Sequence, residues 1–159
     1  MMNEKLLSSL TRFAIILIGI CGLLSCLLWI PISIGNGAFQ NLPWKSMDFL
    51  IPYIFHWIVS LPCFSLLVIA WQVTSNMNDG KLFLKKNALY VNHATIILTV
   101  DIVAFLIGNI IFAILGWNAW LLLHILISVT GLVISIFMYI LSKYLMRAAI
   151  LQEESDLTV

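Results

Sequence analysis

Charge is scarce in this sequence. Of 159 residues, 9% are Asp, Glu, Lys or Arg while 62% are hydrophobic, against about a quarter charged in a soluble domain. So few charges cannot solvate a globular surface, and lipid has to cover much of the chain. The formal net charge of +1 leaves no broad basic footprint, so direct nucleic-acid binding is not expected. The three cysteines, Cys21, Cys26 and Cys63, sit inside apolar runs and read as small packing residues rather than a disulfide or metal set. GxSxG, HExxH, CxxC and glycine-rich phosphate-loop patterns are all missing, so nothing points to hydrolase, kinase or redox chemistry. The chain therefore reads as non-enzymatic, with no cofactor and no metal. Repeats, low-complexity tracts and a soluble domain are absent as well.

What is present is long apolar runs. No Asp, Glu, Lys, Arg or His occurs between Arg12 and Lys45, and His56 alone interrupts the stretch from Asp48 to Asp79. A third stretch, Ile102 to Leu141, has no Lys, Arg, Asp or Glu. As one helix it would measure about 60 Å at 1.5 Å per residue, twice the hydrocarbon thickness, so it must fold back. The sequence GWNAW at 116–120 supplies the turn. Four spans follow, near Phe13–Ile32, Leu50–Trp71, Ala94–Leu115 and Ala119–Leu141, with a loop over 72–93 and a tail over 142–159. Backbone groups in hydrocarbon must be satisfied within the segment, and the alternation of barrel strands is missing, so the expected class is all-α. Residues 1–159 read as a single four-span membrane domain, a compact four-helix bundle whose fourth helix extends beyond the bilayer. The basic start KLLSSLTRF resembles a signal peptide, but the apolar region is long and no small-x-small cleavage site clearly follows, so this segment is kept as a span.

Lys5, Arg12, Lys81, Lys85, Lys86, Lys143 and Arg147 fall on one side of these spans, and Lys45 alone on the other. The asymmetry predicts cytoplasmic N- and C-termini. Trp29, Trp44, Trp57, Trp117 and Trp120 fall near the opposite interface, where an amphipathic indole is comfortable.

Each span carries a small or polar stripe at helical spacing: Gly19, Gly22 and Cys26; His56, Ser60, Cys63 and Ala70; Ala94, Asp101, Ala104 and Gly108; His124, Ser128, Gly131 and Ser135. In a bilayer, helices associate through close approach and interhelical hydrogen bonds, so these stripes are expected to face one another. Asp101 is costly there, by about 2.5 to 3.5 kcal/mol on insertion scales. It is expected to be protonated, or hydrogen-bonded to Ser, Thr or Tyr of neighbouring spans, as a structural polar lock. A proton or ligand site is the functional alternative. His56, Asn109 and His124 lie at one level, roughly 9 Å from the outer end of their spans by helical rise, and could meet. Interhelical hydrogen bonding is the plain reading, because zinc wants three or four ligands and a third is not evident.

The loop NMNDGKLFLKKNALYVNHAT contains an Asp79-Gly80 turn signal, after which a helix is expected to run into the membrane. After the fourth span, SKYLMRAAILQEESDLTV continues as a helix with Leu145, Ala148, Ala149 and Gln152 in one stripe. Glu153, Glu154 and Asp156 then oppose the helix dipole, so fraying is expected. The tail has two readings: solvated or folded back on Lys81–Lys86 by opposite charge, or a partner-binding terminus in which Leu157 and Val159 support strand addition or capture in an anion nest.

The Asp79-Gly80 turn, Phe83, Asn87 at the head of the third span and the terminal LQEESDLTV together resemble the bacterial four-span membrane family catalogued as domain of unknown function 2975. The matching terminal residues are Leu151, Gln152, Glu153, Glu154, Asp156, Leu157, Thr158 and Val159. After Asn87 this chain has ALYVNHAT, where members of that family often carry basic residues and leucine. The resemblance implies a small inner-membrane protein of bacteria, often Gram-positive, commonly encoded beside a small helix-turn-helix regulator, and implies no established activity. The function expected is regulatory or signalling: the loop and acidic tail bind that soluble regulator at the membrane. The alternative is a peptide-resistance or transport accessory that meets a ligand from the outer face.

Overall fold

The computed structural model describes residues 4–36, 47–78, 83–116 and 120–157. The Asp79-Gly80 turn, Trp44, Lys45, Lys81, Trp117, Thr158 and Val159 lie outside the described residues. Apart from short turns at 83–84, 115–116 and 120, the described chain is helical: α1 (Glu4–Leu24), a π-helical turn (Ser25–Trp29), α2 (Ile30–Asn36), α3 (Met47–Asn78), α4 (Lys85–Ile114) and α5 (Leu121–Leu157). Four helical segments, Leu6–Ile32, Phe49–Asn76, Lys85–Ile114 and Leu121–Ser155, are long and apolar enough to cross a membrane.

The π turn has a local cause. Pro31 has no N–H to donate and its ring crowds the carbonyl four residues back, so the helix widens before it. The Ile30 N–H donates to the Ser25 carbonyl, five residues back, which is the π pattern. Prolines also interrupt α3, at Pro52 and Pro62. Side chains serve carbonyls near them: His56 Nδ1 lies 2.7 Å from the Pro52 oxygen, and the Ser65 hydroxyl donates to the Pro62 oxygen at 2.6 Å. At the end of α4, Gly116 takes φ +76°, the left-handed C′ position that glycine adopts without strain. The reversal expected at 116–120 begins there, and α5 starts at Leu121.

The helices pack in chain order. Segment α1 lies on α3, α3 on α4, and α4 on α5, the last pair most extensively; no backbone contact between α1 and α5 occurs among the described residues. Large side chains such as Phe13, Ile114 and Leu122 point outward. The stripe of α5 is the seam with α4: Ser128, Ser135, Ser142 and Ala149 are buried, and Gly131 brings the Ile102 side chain against its backbone. Gly19 and Gly22 admit Leu67 and Phe64 of α3 in the same way. Ala104 departs from the expected stripe and is exposed.

Two boundaries differ from expectation. The segment expected as a loop over 72–93 is mostly helix, since α3 continues to Asn78 and α4 already starts at Lys85. Likewise α5 does not fray at Glu153 but runs 37 residues to Leu157. That is about 55 Å against a hydrocarbon core of about 30 Å, so one end of α5 projects well past the apolar layer.

Candidate functional site

Polar side chains form three layers along the helices. The first lies at the end where α1 starts and α5 stops. Leu84 is extended and α4 starts after it, with the Asn87 N–H donating to the Leu84 carbonyl at 2.9 Å. This turn places Asn87 in the interior, 0% exposed, where its Oδ1 accepts from Asn76 Nδ2 at 2.6 Å. The last turn of α3 is thereby tied to the first turn of α4. The Ser8 hydroxyl donates to the Thr74 carbonyl, and Arg12 Nη2 donates to Ser75 Oγ at 3.2 Å, with the guanidinium 5.2 Å from the Trp71 ring centre. Lys85 closes the layer through an ion pair with Glu153 of α5. Ala88, Val91 and Ala94 of α4 and Ala149 of α5 are buried as well.

This layer clarifies the tail. Of the expected stripe, Ala149 packs in the α4 seam, Leu145 and Ala148 are half-buried, and Gln152 is exposed. Leu151, Gln152, Glu153 and Glu154 present side chains to the surroundings. The Lys85–Glu153 pair is itself half exposed, so solvent screening limits it to about 1 kcal/mol or less. It offsets a carboxylate that would otherwise oppose the helix dipole. Glu153→Gln is accordingly expected to shift stability by less than about 1 kcal/mol and to leave α5 helical, as circular dichroism and thermal unfolding in detergent would show.

The second layer is central. Thr99 and Ser135 share a 2.6 Å hydroxyl contact between α4 and α5, and the Cys26 thiol of the π-helical turn donates to Ser60 Oγ of α3 at 3.2 Å. Asp101 is buried and accepts from the Cys63 thiol at 3.4 Å through Oδ2. The partner is a thiol of α3 rather than the expected Ser, Thr or Tyr, because the α3 stripe presents Cys63 at this level. A carboxyl group and an asparagine amide both satisfy one donor here. Asp101→Asn is therefore expected to keep stability within about 1 kcal/mol, whereas Asp101→Leu leaves the thiol without its acceptor and overfills the seam, costing about 1–3 kcal/mol. Equal unfolding midpoints for the two variants would remove the polar lock.

The third layer lies toward the opposite end. His56 of α3 and His124 of α5 approach with ring centres 6.1 Å apart, and Phe105 of α4 stands edge-on to both at 6.2 and 5.4 Å. Phe55 packs against Phe112 at 5.0 Å beside them. Asn109, 1% exposed, donates to the Phe105 carbonyl at 2.8 Å. The three expected residues thus occupy one region: the two imidazoles pack as a tilted pair, and the Asn109 amide serves the Phe105 carbonyl. Among the described residues no group of three His, Cys, Asp or Glu side chains is arranged to hold a metal ion.

Sequence reasoning missed partners that depend on pairing between helices: Asn76 with Asn87, Arg12 with Ser75 and Trp71, and Cys63 with Asp101; the attraction of the acidic tail to Lys81–Lys86 was legible from charge, and Lys85–Glu153 is an ion pair of that kind. A usable signal existed for the first, since two asparagines flank a short connection between helices.

Four helices of spanning length and composition, joined in order by buried polar contacts, fit a four-span membrane protein. Residues 36–159 match the family described as Protein of unknown function (DUF2975), and the chain belongs to that family. No curated protein and no solved structure matches it.

Proposed function

We propose that this chain is a multi-pass protein of the bacterial plasma membrane, with both termini cytoplasmic, that recruits or restrains a soluble regulator of the small helix-turn-helix type. It does so without catalysing a reaction. The observation that carries this reading is the projecting end of α5: a continuous helix to Leu157, seated on α4 by Ala149 and by Lys85–Glu153, that holds Leu151, Gln152, Glu153 and Glu154 exposed. The lysine and arginine asymmetry supports the cytoplasmic side for that end. A helix already formed loses less conformational entropy on binding than a disordered tail does. Asp156, Leu157, Thr158 and Val159 complete the partner-binding terminus in this reading. Removal of Gln152–Val159 is expected to leave the protein inserted while recovery of the regulator in a detergent pull-down falls to background. Undiminished recovery would defeat the proposal.

The apposed imidazoles of His56 and His124 favour a second reading, an accessory protein for peptide resistance or transport that takes a ligand at the outer end. In that case His124→Ala alters resistance and tail removal does not.

A further inference from the structure

We infer that Arg12 of α1, with Trp71 and Ser75 of α3, holds the phosphate of an anionic phospholipid where these helices leave the hydrocarbon. Two neighbours fix the guanidinium. Its Nη2 donates to Ser75 Oγ at 3.2 Å, and its central carbon stands 5.2 Å from the Trp71 ring centre. Both partners are neutral. The Nε group is buried and meets no acceptor among the described residues, so the protein leaves this cation short of hydrogen bonds as well as of a counter-charge. Among the described residues the single ion pair belongs to Lys85 and Glu153. A guanidinium cannot relieve burial by losing its proton, so one that is half-buried gains from an anion supplied by its surroundings.

Position identifies the anion. Arg12 immediately precedes the uncharged run 13–32, and Trp71 closes the run that begins at Leu50. Both therefore stand where acyl chains give way to headgroups, and phosphodiesters occupy that level all round the protein. The planar guanidinium matches the paired oxygens of a phosphate. Trp71, 40% exposed, keeps its indole at the same interface, where an amphipathic ring is comfortable. Other cations at this end differ. Lys86 and Lys143 also lie over aromatic rings, Tyr90 at 5.4 Å and Tyr139 at 5.0 Å, but both are exposed, so water or a diffuse attraction to headgroups serves them. The half-buried, oriented Arg12 alone among these three calls for a defined contact.

The test uses the full chain in detergent, titrated with phosphatidylglycerol or with phosphatidylcholine, whose phosphate charge is already neutralised, and native mass spectrometry to count retained lipids. One phosphatidylglycerol per chain is expected to be held at least about tenfold more tightly than phosphatidylcholine, and Arg12→Gln to abolish that preference, as loss of a hydrogen bond to a charged group predicts. Ser75→Ala keeps the cation but frees it to move, and is expected to weaken phosphatidylglycerol retention about threefold. Lys86→Gln is expected to retain the preference. Unfolding midpoints in phosphatidylcholine alone separate a folding defect from lost binding; if Arg12→Gln does not fold, Ser75→Ala and Lys86→Gln decide. A large excess of inorganic phosphate is expected to leave the lipid in place. Displacement by it would assign the site to a free anion and overturn the inference, as would an undiminished preference in Arg12→Gln, equal losses in Ser75→Ala and Lys86→Gln, or no preference in the wild type. Removal of Gln152–Val159 is expected to leave lipid retention unchanged, so this site and the tail proposal fail separately.

Discussion

Leucine in place of Gly108 is expected to lower stability by about 3 kcal/mol or more, toward the upper end of what overpacking costs. Gly108 lies in α4 where the Phe55 ring of α3 covers it, and even a Cβ would collide with that ring. The ring cannot retreat, because Phe112 stands edge-on to it at 5.0 Å and His56 at 5.6 Å. Alanine at 108 is expected to cost about 1–2 kcal/mol net, the clash exceeding the helix-propensity gain of about 1 kcal/mol. Gly131 provides the contrast. A Cβ there meets the tip of Ile102, Cδ1 at 2.7 Å, a flexible end that can swing aside. Gly131→Ala is therefore expected within about 1 kcal/mol of wild type. Thermal or SDS-induced unfolding of the three variants would check the order, and a stable Gly108→Leu protein would refute the α3–α4 packing.

Replacing Asn87 by leucine is expected to cost about 2–3 kcal/mol, because it removes a buried amide and strands the Asn76 group bonded to it. The loss should exceed that of Asn76→Ala, since Asn87 is fully buried and Asn76 only half-buried. A double-mutant cycle on the pair is expected to give a coupling energy of about 1 kcal/mol or more. The functional consequence is directional. Loosening the first turn of α4 releases Lys85 from its place opposite Glu153, so under the proposed function capture of a soluble regulator is expected to weaken along with stability. Unaltered stability in Asn87→Leu would mean that the terminal polar layer does not hold the four helices together.

Much of this architecture is legible in the sequence because one physical constraint dominates it. Uncharged runs such as 13–32 and 102–141 have a lipid-bound alternative and little else, and a left-handed glycine stands at 116 where the second run must turn. Helix ends were less legible. Hydropathy marks the hydrocarbon limits, whereas α3, α4 and α5 continue beyond them through polar residues such as Ser75, Asn76, Lys85 and Gln152. The π turn at Ser25–Trp29 follows from Pro31 only once the helix is known to continue past it. At the candidate site, periodicity put His56 and His124 on packing stripes and at one depth, but the edge-on Phe105 between α3 and α5 depends on rotation of α4, which no one-dimensional pattern encodes. Asp101 shows the same limit: its depth signals a required partner, and only the packing of α3 identifies Cys63.

The account depends on which side of the membrane receives the end of α5. Ser155→Cys, placed in a chain whose Cys21, Cys26 and Cys63 have been replaced by alanine, puts a thiol on the exposed last turns of that helix. A membrane-impermeant maleimide is expected to leave it unlabelled in intact cells and to label it fully once the membrane is permeabilised. Full labelling in intact cells would place the acidic helix outside and contradict the proposed function.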